Sequence, residues 1–170
     1  VYIHESIKST FIFLLKKNIR NFYGENEFKS TDYGRIISHS HFDRIIKLID
    51  GSKILYGGDR NREEKFISPT LLEVNAWDEQ VMQEEIFGPV LPILSYKNLE
   101  EVISIIKSKA RPLALYIFST NKKHIDKVTT EINYGGGCVN DCLLHFSSTE
   151  LPSGGGGASG IGRYHGKYSF

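Results

Sequence analysis

The chain has 170 residues, of which 40% are hydrophobic and 24% charged, with 21 basic and 20 acidic side chains and a net charge of +1. This is the composition of a soluble globular domain with enough length to bury a core. The near-balanced, interspersed charge gives no electrostatic case for nucleic acid or an anionic membrane, and no apolar run approaches the roughly 20 residues of a spanning helix.

Residues from about Glu5 to Tyr23 place Ile7, Phe11, Leu14, Leu15, Ile19 and Phe22 at helical spacing. A second helix is expected to begin at Ser38, turn Phe42, Ile45, Ile46 and Ile49 inward, and stop at Gly51. Short strands are expected at Lys53–Gly57, Phe66–Val74, Val90–Tyr96 and Leu113–Ser119, with Asp59–Lys65 as a solvated turn. The last two strands are nearly continuous apolar runs, the pattern of strands covered on both faces. A third helix opens at Asn98, a good cap with Glu101 three residues on, buries Leu99, Val102, Ile103 and Ile106, and ends near Arg111 before Pro112. A fourth, about Asn121 to Asn133, buries Ile125, Val128 and Ile132. The reading is a mixed α/β fold with helices on both faces of the sheet.

The glycine-rich stretch Ser153–Gly162 is followed by a compact aromatic segment, so it is expected to be an ordered loop rather than a linker. No internal repeat is visible. The start, Val1-Tyr2-Ile3-His4-Glu5, has no basic n-region and no initiator Met, so it is not a signal peptide and is expected to be cut from something longer. Cys138 and Cys142, spaced C-x3-C, match neither a zinc pair nor a thioredoxin motif. They read as two reduced residues of a cytoplasmic protein.

Four stretches carry a stronger signal in their order: Ile67-Ser68-Pro69-Thr70-Leu71-Leu72, Gln83-Glu84-Glu85-Ile86-Phe87-Gly88-Pro89-Val90, Arg111-Pro112-Leu113-Ala114-Leu115-Tyr116-Ile117-Phe118-Ser119, and Gly135-Gly136-Gly137-Cys138-Val139-Asn140-Asp141 leading to Leu151-Pro152-Ser153-Gly154-Gly155 and Ser159-Gly160-Ile161-Gly162-Arg163-Tyr164-His165-Gly166-Lys167. Together they resemble the aldehyde dehydrogenase superfamily. The Asn140-Asp141 pair and the G-x-Y-H-G-K ending are similar to its class 3 branch. The resemblance runs from about Gly34 to Phe170 and implies a three-layer αβα catalytic domain with a mostly parallel sheet. Residues 1–142 would be the core of that domain, beginning after the nucleophile motif, and residues 143–170 a tail in the oligomerisation and substrate-channel region.

The reaction implied is oxidation of an aldehyde to a carboxylic acid through a thioester, with NAD or NADP as cofactor and a homo-oligomer, most simply a homodimer, as the assembly. The family's cysteine lies in a G-Q-x-C motif and its general-base glutamate in E-L-G-G-K. Neither motif occurs in this chain, and the oxyanion asparagine lies upstream too, so the fragment alone is expected to be inactive. What the resemblance leaves here is cofactor binding. Glu85 would take the nicotinamide ribose hydroxyls, and Phe87 would pack against the nicotinamide. His165 would lie near the substrate channel. Read without the family, Glu85 is a solvated acid and Phe87 a core residue.

The tail departs from the pattern. Ser153 stands where the family usually has an aromatic, and Gly156 where it often has valine, so both changes remove apolar contact from a loop that the resemblance places near the substrate entrance. Cys138 with His145 can be drawn as nucleophile and base, but the family places its nucleophile elsewhere and Cys138 falls in an apparent strand. His39 and His41, two apart, match no common metal-ligand motif. The glycine-rich loop does not open a helix after a strand, which argues against a phosphate cradle. The alternative to an enzyme fragment is a non-catalytic binding module that kept the fold.

Overall fold

The computed structural model describes residues 1–49 and 53–169, which form two compact units, Val1–Lys97 and Asn98–Phe170. In the first unit, strands β1 (Tyr2–His4), β2 (Ile54–Tyr56), β5 (Thr70–Val74) and β6 (Val90–Tyr96) make one sheet in the order β1-β6-β5-β2. β6 pairs parallel with both β1 and β5, and β2 closes the edge antiparallel to β5. A two-residue hairpin, β3 (Arg60–Asn61) with β4 (Phe66–Ile67), lies between β2 and β5 in sequence.

Two helices cover the two faces of that sheet. Successive strand residues point to opposite sides, so neighbours in sequence serve different cores. Ile3, Leu71 and Ile93 pack under α1 (Lys8–Tyr23) with Phe11, Ile12, Leu15 and Ile19. Leu72, Val74, Val90 and Leu94 face α2 (His39–Leu48), which supplies Phe42, Ile45 and Leu48. This is why β5 and β6 read as apolar runs without alternation, and it gives the helix–sheet–helix layering that was expected.

The second unit repeats the theme on a smaller scale. β7 (Ala114–Ile117) pairs parallel with β8 (Gly136–Val139). Helices α3 (Leu99–Lys107) and α4 (Lys122–Glu131) bury Ile103 and Val128, with Ile132 just after α4, against Leu115 and Ile117 of β7. Across the strand pair, a one-turn helix α5 (Leu144–Ser147) sets His145 near Tyr116 and Cys138. The glycine-rich tail is ordered: Ser153 and Tyr164 exchange both backbone hydrogen bonds at 2.9 Å, closing the loop between them.

Several expectations need correcting. The apolar stripe of α1 is Phe11, Ile12, Leu15 and Ile19, whereas Ile7, Leu14 and Phe22 are exposed. The expected strand over Phe66–Val74 is broken at Ser68-Pro69, because proline has no N–H to give a ladder. The polar stretch Asp59–Lys65 is no plain turn: it holds the exposed strand β3 and the turn that leads into buried β4. Asn98 caps α3 through the Glu100 N–H at 2.9 Å, and the helix stops at Lys107, short of Arg111. Ser38 caps α2 as expected, through the His41 N–H at 3.2 Å. The expected stop at Gly51 lies outside the described residues.

Candidate functional site

The Glu84–Gly88 segment leaves the 3-10 turn Gln80–Met82 and enters β6 through Pro89. Its base is tied down by Glu79, whose carboxylate accepts the Asn75 N–H at 2.7 Å and an ammonium hydrogen of Lys53 at 2.6 Å. The Lys53 hydrogen bond comes first and the Asn75 N–H second in holding this carboxyl below its usual range. Buried Val81 and half-buried Met82 and Ile86 anchor the segment in the core beside α2.

From above, two side chains of α2 hold the main chain. One nitrogen of the Arg44 guanidinium donates to Glu84 Oε1 at 2.6 Å and to the Glu85 carbonyl at 3.3 Å, and the other donates to the Ile86 carbonyl. His41 Nε2 donates to the Phe87 carbonyl at 2.7 Å, since a carbonyl can only accept. Its Nδ1 is thereby the acceptor for Arg44 Nε at 3.3 Å, so the two residues fix each other's geometry. Phe87 sits at φ +48°, a conformation costly for a bulky residue. Gly88 follows because a Cβ there would stand 2.5 Å from Ile45 Cδ1.

The result is a backbone locked to a helix with two side chains left outside. The Phe87 ring is 72% exposed, so it is no core residue. Glu85 is exposed, and its carboxylate has no ion pair or hydrogen bond among the described residues. An exposed carboxylate with both oxygens free can accept hydrogen bonds from hydroxyl groups, and an exposed aromatic ring two residues on offers a face for packing. The sequence singled out Glu85 and Phe87 and missed His41 and Arg44. Their spacing of three on one helix face was the available signal.

The matches to known proteins follow this geometry. The model of the aldehyde dehydrogenase family fits residues 1–170. The chain belongs to the aldehyde dehydrogenase family. It is 51% identical over 156 residues to "aldehyde dehydrogenase family 3 member A2" of Rattus norvegicus, covering 92% of this chain and 32% of that protein. It is 48% identical over 165 residues to "aldehyde dehydrogenase, dimeric NADP-preferring" of Canis lupus familiaris, covering 97% and 36%. A substrate-bound structure of Staphylococcus aureus AldH superposes with a TM-score of 0.95 at 47% identity, over 99% of this chain and 38% of that one. The chain thus spans about a third of the length of these relatives.

Within this family member the tail has its own chemistry. Ser153 is 3% exposed, and its hydroxyl has no hydrogen-bond partner among the described residues. At Gly156 a Cβ would meet Arg111 Nη1 at 2.5 Å, so the space for a larger residue is taken by the Arg111 side chain. That guanidinium in turn donates to the Tyr134 carbonyl at 2.7 Å. His165 lies in the second unit at φ +94°, with its backbone N–H on Ser169 Oγ at 3.0 Å. Cys138 and His145, weighed from sequence, are brought together: Sγ and Nδ1 lie 3.7 Å apart. His41 is used as a main-chain donor. No group of three metal-ligating side chains occurs among the described residues, and no helix there is long and apolar enough to cross a membrane.

Proposed function

We propose that this chain is the cofactor-gripping, carboxy-terminal part of the catalytic domain of an NAD(P)-dependent aldehyde dehydrogenase that turns an aldehyde into a carboxylic acid through a cysteine-bound thioester. The observation that carries the reading is the free Glu85 carboxylate beside the exposed Phe87 ring, on a main chain fixed by Arg44 and His41. These residues fit the cofactor. Glu85 would accept hydrogen bonds from the nicotinamide ribose hydroxyls, and Phe87 would lie against the nicotinamide. Held by these two residues, the cofactor would supply hydride-accepting chemistry at the substrate carbon.

The rest of the reaction falls to groups outside these 170 residues. The nucleophilic cysteine of G-Q-x-C and the glutamate of E-L-G-G-K, which activates water, are absent from the sequence, so the chain by itself is inactive. Residues 1–142 form the core and 143–170 the tail, which contributes to the dimer contact and, through His165, to the substrate channel. The assembly is a homodimer in the cytoplasm. The name of the dog relative, dimeric and NADP-preferring, supports the dimer and the cofactor class.

The test is Glu85→Gln in the protein that carries this chain. It keeps size and loses the charge, and should weaken cofactor binding or slow hydride transfer by roughly 1–3 kcal/mol, the cost of a lost charged hydrogen bond. Unchanged cofactor affinity together with an unchanged rate removes Glu85 from the site.

A further inference from the structure

We propose that Cys138 is a reactive thiol, activated by His145, that forms thioether adducts with soft carbon electrophiles such as α,β-unsaturated carbonyl compounds. This modification site is separate from the Glu85 loop and does not rest on the reading of that loop.

The argument begins with what a buried imidazole needs. His145 is 7% exposed, and a buried ring nitrogen costs free energy unless it has a partner. Among the described residues, the hydrogen-bond partner of its ring is the Cys138 thiol, Sγ to Nδ1 at 3.7 Å. A histidine kept for packing would take a carbonyl or a carboxylate, which are strong partners. A thiol is a weak donor. What the pairing does offer is a base that can accept the thiol proton, and the thiolate is the nucleophilic form.

The fold holds the pair in place. Cys138 lies on β8, and α5 returns over that strand after a left-handed turn at Leu143, φ +64°. The imidazole rests on bare backbone: a Cβ on Gly136 would stand 2.4 Å from His145 Cδ2. Tyr116 and Phe146, with ring centroids 5.7 and 4.1 Å from the imidazole, flank its other sides. Cys138 remains half-buried rather than sealed, so a small electrophile can reach it. Cys142 is more exposed and has no such contact with a base among the described residues.

In the step proposed, the thiol proton passes to His145 Nδ1 as sulfur bonds to the β-carbon of the unsaturated carbonyl. The carbon–carbon π pair moves to form an enolate. The imidazolium then returns the proton to the α-carbon, leaving a neutral thioether and a neutral imidazole. No oxidant or further reactant is required.

Exposure and activation predict opposite orders for the two cysteines, which makes the test direct. The protein carrying this chain, held at pH 7, is treated with a limiting amount of iodoacetamide and, separately, of methyl vinyl ketone. Adducts are located by fragment-ion mass spectrometry, which resolves Cys138 from Cys142 across Val139–Asp141. Cys138 should react about tenfold faster than Cys142, the gain expected from a base held within reach of the thiol proton. His145→Gln and Gly136→Ala should each bring the Cys138 rate towards that of Cys142 without changing the latter. Faster or equal labelling of Cys142 in the unsubstituted protein overturns the proposal, whether or not the variants fold. A Cys138 rate that both folded variants leave intact overturns it as well.

Discussion

Gly88 lies against Ile45 so closely that any side chain at 88 would collide with it, the ideal Cβ standing 2.5 Å from Ile45 Cδ1 and 3.3 Å from Cγ1. Ile45 is fully buried and cannot swing aside into solvent. The glycine is therefore what lets the Glu85–Phe87 loop rest on α2. Gly88→Ala should destabilise the protein by about 1–3 kcal/mol, the usual cost of overpacking a filled core. A denaturant melt measures it. A variant as stable as the parent would show that the loop can lift off α2 without cost.

Arg44 makes a sharper case, because its role depends on shape as well as charge. One planar guanidinium reaches Glu84, Glu85 and Ile86 at once. Lysine keeps the charge but offers a single ammonium in place of the fork. In the protein that carries this chain, where Glu85 is proposed to hold the cofactor, Arg44→Lys should retain the fold and weaken cofactor binding up to about tenfold, since the Glu85 main chain is then held by fewer bonds. Calorimetry with NAD and NADP is the readout. Affinity equal to the parent's would mean that His41 and Gly88 hold the loop on their own.

The same residues show what sequence could and could not reveal. α2, α3 and α4 were legible because each begins at a side-chain cap, Ser38, Asn98 and Asn121, and then repeats apolar residues at helical spacing. β6 was legible because both its faces are covered. β1 was not: it is a three-residue edge strand whose partners, Leu94 to Tyr96, lie about ninety positions along the chain. Nor was β3, whose Arg60 and Asn61 are exposed and carry no apolar alternation. At the site, the motif gave Glu85 and Phe87, but the positive φ at Phe87 is set by contacts to α2 that no local pattern encodes.

Glu79 links the loop to pH. Lys53 and the Asn75 N–H hold its carboxyl below the ordinary value of 4.5, so the folded state favours the charged form. A depressed folded pKa gives stability that is present above the unfolded value and lost as pH falls through the folded one. Glu79→Gln should accordingly be less stable than the parent at pH 7, and the gap should narrow progressively below about pH 4.5. Thermal melts at several pH values follow this. A gap independent of pH would assign the loss to packing rather than to the carboxylate.

Ser153 offers the opposite kind of prediction, a gain. Its side chain is almost wholly buried, and its hydroxyl finds no partner among the described residues, while its main chain makes both bonds to Tyr164. A buried unsatisfied hydroxyl costs about 1–3 kcal/mol, and the cost disappears with the oxygen. Alanine removes only that atom and leaves the backbone bridge in place. The void it creates is smaller than a methyl group, so the cavity term is slight. Ser153→Ala should be neutral or more stable by about 1 kcal/mol in a denaturant melt. Destabilisation by a similar amount would show that the hydroxyl is satisfied in solution, by water or by the rest of the protein.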